Sequence, residues 1–402
     1  MKEHEVIDRL RKAFPDSGIG DDTAVLPGLE ALGAGAAGGR AGRGIGAERV
    51  GGKAGRRVAA ARRAAGVDLL FASDAIVEGV HFKRETSTLS QAVQKLVTSN
   101  VSDVYAMGGK PLAIVFTAAL SSGMSRREVD GIIDGLQKAC SRYQVRLAGG
   151  DTVHSPHGLV FDVAIVGSVA RGRAIRRSGA RAGDRIVLFG EIGLARAGLS
   201  IVSAIFGGRG ERGVPLPSRE LRSALAHAAR LRKPVRDLTL AASSRTLRIL
   251  ASRFRTLPHA GEILRCAKRH LVPLAVPLDR SVLEAPRQVI TSMIDVSDGL
   301  AKDLRTLCTE SGVGAGIHEV ALPVPKGIRE MFDLSERELA DFAISSGEEY
   351  VLLATVRGTV PAGALPLGTA VGTVMRPGDG IVLMSKKGAS RPLPELGYEH
   401  SF

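Results

Sequence analysis

No tryptophan occurs among the 402 residues, and aromatic content is only 4%. So few ring faces argue against a surface built for base stacking. The three cysteines, Cys140, Cys266 and Cys308, are far apart and form no CxxC pair. That excludes a disulfide framework and a thiolate zinc site, and leaves them as small buried residues. No apolar run reaches the roughly eighteen residues of a membrane span, and the charged start MKEHEVIDRLRKAF lacks the apolar stretch of a secretory signal. The expectation is a soluble, cytoplasmic protein with no membrane partner.

What the chain has in excess is positive charge: 55 Lys+Arg against 41 Asp+Glu, a formal +14. Such a balance raises the question of an anionic polymer. Two segments account for it. Residues 28–66 hold eight basic residues against Glu30 and Glu48, and residues 206–265 hold thirteen against Glu211, Glu220, Asp237 and Glu262. Elsewhere 34 basic residues face 35 acidic ones. The body of the protein is neutral, and both basic segments read as insertions.

Residues 28–66 are mostly Gly, Ala and Arg without a hydrophobic period, the composition of a mobile loop. Within them, 46–54 (GAERVGGKA) imitates a Walker A loop, but Ala47 and Ala54 stand where it needs Gly and Ser/Thr. The glycines of 42–47 imitate part of a dinucleotide fingerprint with no strand before them. In 206–265, Leu221, Leu225, Ala228 and Leu231, then Leu238, Leu247 and Leu250, suggest amphipathic helices with arginines outward. Outside these segments, strand-like runs at 69–72, 112–119, 159–169, 185–189, 289–294 and 350–355 alternate with helical periods at 89–105, 126–143, 194–205, 300–311 and 336–342. The pattern is α/β or α+β, and a polar turn at 170–174 divides an N-terminal domain, 1–169, from a C-terminal domain, 170–402.

Aspartates recur where apolar runs stop: Asp21 and Asp22, Asp74, Asp103, Asp151, Asp295 and Asp298. Strand ends face the crevice where α/β proteins hold ligands. Converging carboxylates repel one another unless cations sit between them, so the set points to a hard divalent cation shared with phosphates rather than to acid–base chemistry. Each position alone also fits a turn or helix cap, Asp298 before Gly299-Leu300 above all. Glycines beside these acids, Gly149 and Gly150 among them, would let backbone N–H groups approach phosphate.

Taken in order, these residues resemble a known family. The segments IGDDTAVL (19–26), SDAIVEGVHF (73–82), NVSD (100–103) with AMG (106–108), GGDT (149–152), RSG (177–179) with GD (183–184), IDVSDGL (294–300), SSGEEY (345–350) and GYEH (397–400) resemble the ordered motifs of the thiamine-monophosphate kinases. That family lies in a superfamily with aminoimidazole ribonucleotide synthetase and selenophosphate synthetase. The resemblance spans about 5–401 and skips both basic segments.

The resemblance implies a two-domain aminoimidazole ribonucleotide synthetase-like fold, with an N-terminal sheet pairing in a homodimer and a C-terminal α/β domain closing over ATP. It implies that Asp22, Ser73, Asp74, Asp103, Asp151, Asp295 and Asp298 hold several Mg²⁺ ions, with Asp21 acting through water. It assigns Gly150, Asp151, Arg177 and Ser297 to ATP, and His81, Glu348 and Tyr398 to thiamine monophosphate, Tyr398 by stacking. His81 also reads as a packed histidine. Three departures from the family pattern stand out: Ala72 for a hydroxyl residue, Ser346 for a glycine, where strain or a narrower pocket is expected, and Glu349 for an aspartate. The activity implied is ATP-dependent formation of thiamine diphosphate. Two other readings stay open: purine-precursor ring closure, and a non-catalytic nucleotide- or RNA-binding relative using its basic insertions.

Overall fold

The computed structural model describes residues 23–26, 66–205, 217–219, 221–223, 225, 259–283, 289–357, 365 and 368–399. Asp21, Asp22, the loop 28–65 with its Walker-like stretch, and most of 206–258 lie outside the described residues. The described residues form two sheets, one from each half of the chain.

The first sheet runs β1 (Ala24–Leu26), β2 (Val67–Val77), β5 (Val160–Ala170), β3 (Lys110–Ser121), β4 (Arg146–Ser155) in spatial order. Its pairings are antiparallel except the parallel β3–β4 pair. On β5 buried residues alternate with more open ones, so one face is covered and the other open. The covered face carries α1 (Leu89–Ala106) and α2 (Arg126–Tyr143).

The second sheet collects β6 (Arg185–Phe189), β7 (Ile290–Asp295), β8 (Gly314–His318), β9 (Leu352–Val356), β10 (Gly368–Met375), β11 (Ile381–Met384) and β12 (Ser390–Pro392), in the order β12-β11-β8-β10-β6-β9-β7. Its strands β7 and β9 are nearly or fully enclosed. Around it lie α3 (Leu194–Ile205), α4 (Ala260–Leu271), the short α5 (Arg280–Leu283), α6 (Leu300–Ser311), α7 (Lys326–Phe332) and α8 (Glu336–Ile344).

Local sequence starts three of these helices in the same way. Thr88/Gln91, Ser125/Glu128 and Ser335/Glu338 are capping boxes at α1, α2 and α8, the side chains of each pair satisfying the other's free amide. Helix α1 then departs from the amphipathic rule: Ser90, Gln91, Gln94, Lys95, Thr98, Asn100 and Ser102 are buried with its apolar residues. It lies between the two sheets, touching β2, β3 and β5 on one side and β7 on the other.

The strand-like runs and helical periods all recur as elements, but the structure adds several. Strand β4 continues through Gly149 and Gly150 instead of ending there. Strands β8 and β10 each carry two glycines and give no clean alternation to read. The end of the second basic segment opens α4, which packs on α3, with Ile263 and Cys266 buried beside Leu221 and Leu225. Cys266 and Cys308 are buried as expected, while Cys140 is partly open. Among the described residues no helix is long and apolar enough to cross a membrane.

Because the Thr88 side chain accepts the Gln91 amide at 3.2 Å, Thr88→Ala is expected to cost about 1 kcal/mol of stability in urea unfolding.

Candidate active site

The register of the first sheet sorts the predicted acids by face. Asp74 pairs with Val163, Val163 with Phe116, and Phe116 with Gly150, so these four share a row facing α1. The next row runs Ala75–Asp162–Thr117–Asp151 and points the other way. Ser73, also on that open face, donates its hydroxyl to Asp162 Oδ2 at 3.0 Å. Asp74 is thus enclosed against α1, and Ser73 and Asp151 lie across the sheet from it. A Cβ on Gly150 would sit 2.0 Å from the Phe116 carbonyl oxygen, so the strands meet at a spacing only glycine permits.

Around Asp74 the other acids gather. Burial raises its pKa, and the charges of Asp298 and Asp162 raise it further, while the Ser99 side chain works against both. Asp295, at the end of β7, is 2% exposed and accepts the Ser102 hydroxyl at 2.6 Å. The buried Tyr350 hydroxyl marks the centre: burial and the charges of Glu348, Asp74, Asp295 and Asp103 together push its pKa well above the ordinary value. Four carboxylates from β2, α1, β7 and the loop before β9 therefore act on one phenol. Among the described residues no three or more acid, His or Cys side chains are grouped so that they could hold a metal ion by themselves.

Asp298 is not the cap of α6. Gly299, at φ 115°, holds that position, and the amides of Asp298 and Gly299 both donate to Asp303 Oδ2, at 3.2 and 3.1 Å. The Asp298 carboxylate instead pairs with Lys302 Nζ at 2.7 Å, and Lys302 also donates to the Tyr398 carbonyl at 2.8 Å. The Tyr398 amide closes on the Asp298 carbonyl at 2.9 Å, which ties the backbone of the half-exposed Tyr398 to the 295–299 loop. Ser297 belongs to the same loop, its carbonyl accepting the Glu348 amide at 2.7 Å. Arg177 runs beside β7, where the neighbouring Arg176 carbonyl accepts the Met293 amide at 3.0 Å.

His81 and Glu348 converge from opposite halves of the chain. The Val77 amide donates to His81 Nδ1 at 3.1 Å, so in the neutral ring the proton sits on Nε2. Glu348 receives Lys95 Nζ on both oxygens, at 2.8 and 2.8 Å, with the buried His270 Nδ1 3.7 Å away. Burial opposes its ionisation, but the Lys95 ammonium on both oxygens outweighs that and holds its pKa below the ordinary range. Glu348 and Tyr350 sit at φ 56° and 51°, a left-handed backbone costing roughly 1–2 kcal/mol per residue. Strain on bulky residues flanking one site is a mark of function. Sequence reasoning missed Lys95, Ser102, His270 and the central place of Tyr350. The one signal for Lys95 was a helix lacking a continuous polar face.

The strain expected at Ser346 is absent; that residue is not among those with positive φ. Instead its hydroxyl lies 2.7 Å from Glu349 Oε1 and accepts the Arg196 amide at 3.2 Å, while Glu349 Oε1 accepts the Ala195 amide at 2.9 Å. Two unusual residues thus form one fully buried unit at the N-terminus of α3.

This arrangement, with acids between two sheets and a tied loop from the second half facing the first, is the fold of the AIR synthase related proteins. Residues 55–169 match the family model described as AIR synthase related protein, N-terminal domain. The solved structure of AaThiL complexed with AMPPCP and TMP superposes with a TM-score of 0.67 at 23% identity, covering 100% of this chain and 97% of that one. The thiamine-monophosphate kinase of Synechococcus elongatus is 31% identical over 72% of both chains, and that of Bacillus subtilis is 26% identical over 83% of this chain and 89% of its own. The chain belongs to the thiamine-monophosphate kinase family.

Burial, against the bonds from Ser346 and the attraction of Arg269, raises the Glu349 pKa from 4.5 to about 7. A folded-state acid with a raised pKa holds its proton longer than the unfolded chain does, so its contribution to stability falls between those values and stays low above them. Glu349→Gln is expected to flatten the loss of thermal stability between pH 4.5 and 7.

Proposed function

We propose that the protein phosphorylates thiamine monophosphate with ATP to give thiamine diphosphate. The observation that carries this reading is membership of the thiamine-monophosphate kinase family, seen in the relative 31% identical over 72% of both chains; the Lys95–Glu348 pair at 2.8 Å and the buried Asp295 support it. In the transfer, a phosphate oxygen of thiamine monophosphate attacks the γ-phosphorus of ATP in line, the bond to the β–γ bridging oxygen breaks, and ADP leaves. Two anions must meet, so the protein's task is positioning and charge neutralisation.

Asp74, Asp103, Asp295 and Asp298 would hold Mg²⁺, which supplies charge neutralisation on the transferring phosphoryl group. Burial above all, and then the charge of Asp298, raises the Asp74 pKa, which supports a cation beside it, and an all-oxygen donor set suits Mg²⁺. Asp22, Ser73 and Asp151, which the family resemblance adds to this set, are not brought beside Asp74: Asp22 lies outside the described residues, and Ser73 and Asp151 stand on the other face of the first sheet. Gly150, assigned to ATP by the family resemblance, is required here by the close approach of β3, while Arg177 and Ser297 flank β7 and the loop beyond it. At the other end of the substrate, Glu348 and His81 face the thiamine rings, and the Tyr398 ring, held through its backbone to Asp298 and Lys302, offers a stacking face.

We assign the open face of the first sheet to a homodimer. Phe71, Val115 and Val153 are exposed on that face of β2, β3 and β4, with Leu112 exposed at the register irregularity of β3, a concentration of large apolar side chains unusual for a free surface. Val115→Glu is expected to convert a dimer to a monomer in light scattering, and a wild-type monomer would overturn the assignment.

Incubation of the protein with ATP, Mg²⁺ and thiamine monophosphate is expected to yield thiamine diphosphate. Asp74→Asn should lower turnover at least about a hundredfold. ADP release with a purine precursor and none with thiamine monophosphate would favour ring closure, and ATP binding without turnover on any substrate would favour the non-catalytic reading.

A further inference from the structure

Lys95 is the seventh residue of α1 and only 5% exposed. A buried ammonium is tolerated where an anion meets it, and here the anion is Glu348, held through both oxygens. The pair joins the two halves of the chain. It also reaches a residue whose backbone is already left-handed, so the ion pair opposes the tendency of the loop to relax. About a third of the Glu348 side chain remains open, at 32% relative exposure, against 7% for that of Lys95. With Lys95 on the closed side, the lone pairs it leaves unused are those available on the open one. The other groups that face Glu348 are His81 from the turn after β2, His270 from α4 and Tyr350 from its own loop. His270 stays neutral, since burial and Lys95 lower its pKa to about 3, so Lys95 supplies the permanent countercharge.

We propose that Lys95 is a positioning residue for substrate recognition: it fixes the ionised carboxylate of Glu348, and through it the orientation in which the non-phosphate end of thiamine monophosphate is held. The assignment rests on the proposed activity. The Lys95 ammonium is engaged with both oxygens of Glu348 and its side chain is nearly closed to solvent, so its removal is expected to act on recognition of one substrate and leave the other alone.

The test is a kinetic cycle on the full chain with wild type, Lys95→Met, Glu348→Gln and the double variant. Lys95→Met is expected to raise KM for thiamine monophosphate roughly thirtyfold or more, the loss typical of truncating one partner of a buried ion pair. KM for ATP should stay within about twofold of wild type, which a general structural defect would not allow. In the double variant the thiamine monophosphate defect should equal that of Glu348→Gln alone, because Lys95 has no other route to the substrate. Raising the pH should partly restore Lys95→Met, since Glu348 without its countercharge ionises later, and should not restore the double variant. Additive defects, or KM values for both substrates rising together, would overturn the assignment. If Lys95→Met does not fold, Lys95→Arg takes its place: the kept charge predicts a wild-type pH profile, and a displaced profile overturns the proposal. Wild type failing to make thiamine diphosphate overturns the activity itself, whereas wild-type turnover with an additive cycle overturns only the role of Lys95.

Discussion

A helix enclosed on all sides must satisfy its polar groups inside the protein, because water is not there to do it. Helix α1 is under that constraint, and its answers define the neighbourhood. Ser90 donates to Asp134 of α2 at 2.6 Å, Gln94 receives Arg142 at 2.9 Å, and Thr98 meets the Tyr143 hydroxyl at 2.9 Å and the Pro273 carbonyl at 3.3 Å. Lys95 and Ser102 reach across to Glu348 and Asp295. Each contact fixes another element against the helix, so the placement of the acids follows from the polar demands of one segment.

The same logic explains how a strained loop persists. Residues 345–351 carry two bulky side chains in left-handed conformation, and backbone bonds tie them to the 296–298 strand end: Glu348 to Ser297 at 2.7 Å, Tyr350 to Val296 at 2.9 Å. Below, the Ser346–Glu349 unit grips the start of α3. Considered singly, each departure from the family pattern suggests a fault. Together they exchange one anchoring for another, a hydroxyl and a longer carboxylate filling the space between the loop and the helix.

The parts legible in the sequence were those with local cause. Strong periods marked the helices at 89–105 and 126–143, and β6 emerged from its apolar run with the bounds expected. Asp74, Asp103, Asp295 and Asp298 stood out because a carboxylate at the end of an apolar run is conspicuous. What could not be read was relational. The face of the sheet on which Ser73 and Asp151 lie depends on the register of β2, β5, β3 and β4. The partner of Lys95 is 253 positions away, and nothing near either residue announces the other. Glycine-rich β8 and β10 hid because they lack the side chains that mark a face.

Those long separations also bear on how the protein comes into being. The partners that Thr98, Ser102 and Lys95 require follow them by 175, 193 and 253 residues. At a synthesis rate of about 5–20 residues per second, Lys95 waits on the order of 13–50 s for Glu348 to be made. Throughout that interval the emerging N-terminal half holds a helix in which Lys95 and Ser102 lack their final partners, although Ser90, Gln94 and Thr98 already meet theirs on α2. The last contacts of this helix therefore form only near the end of translation, once Pro273, Asp295 and Glu348 have been made.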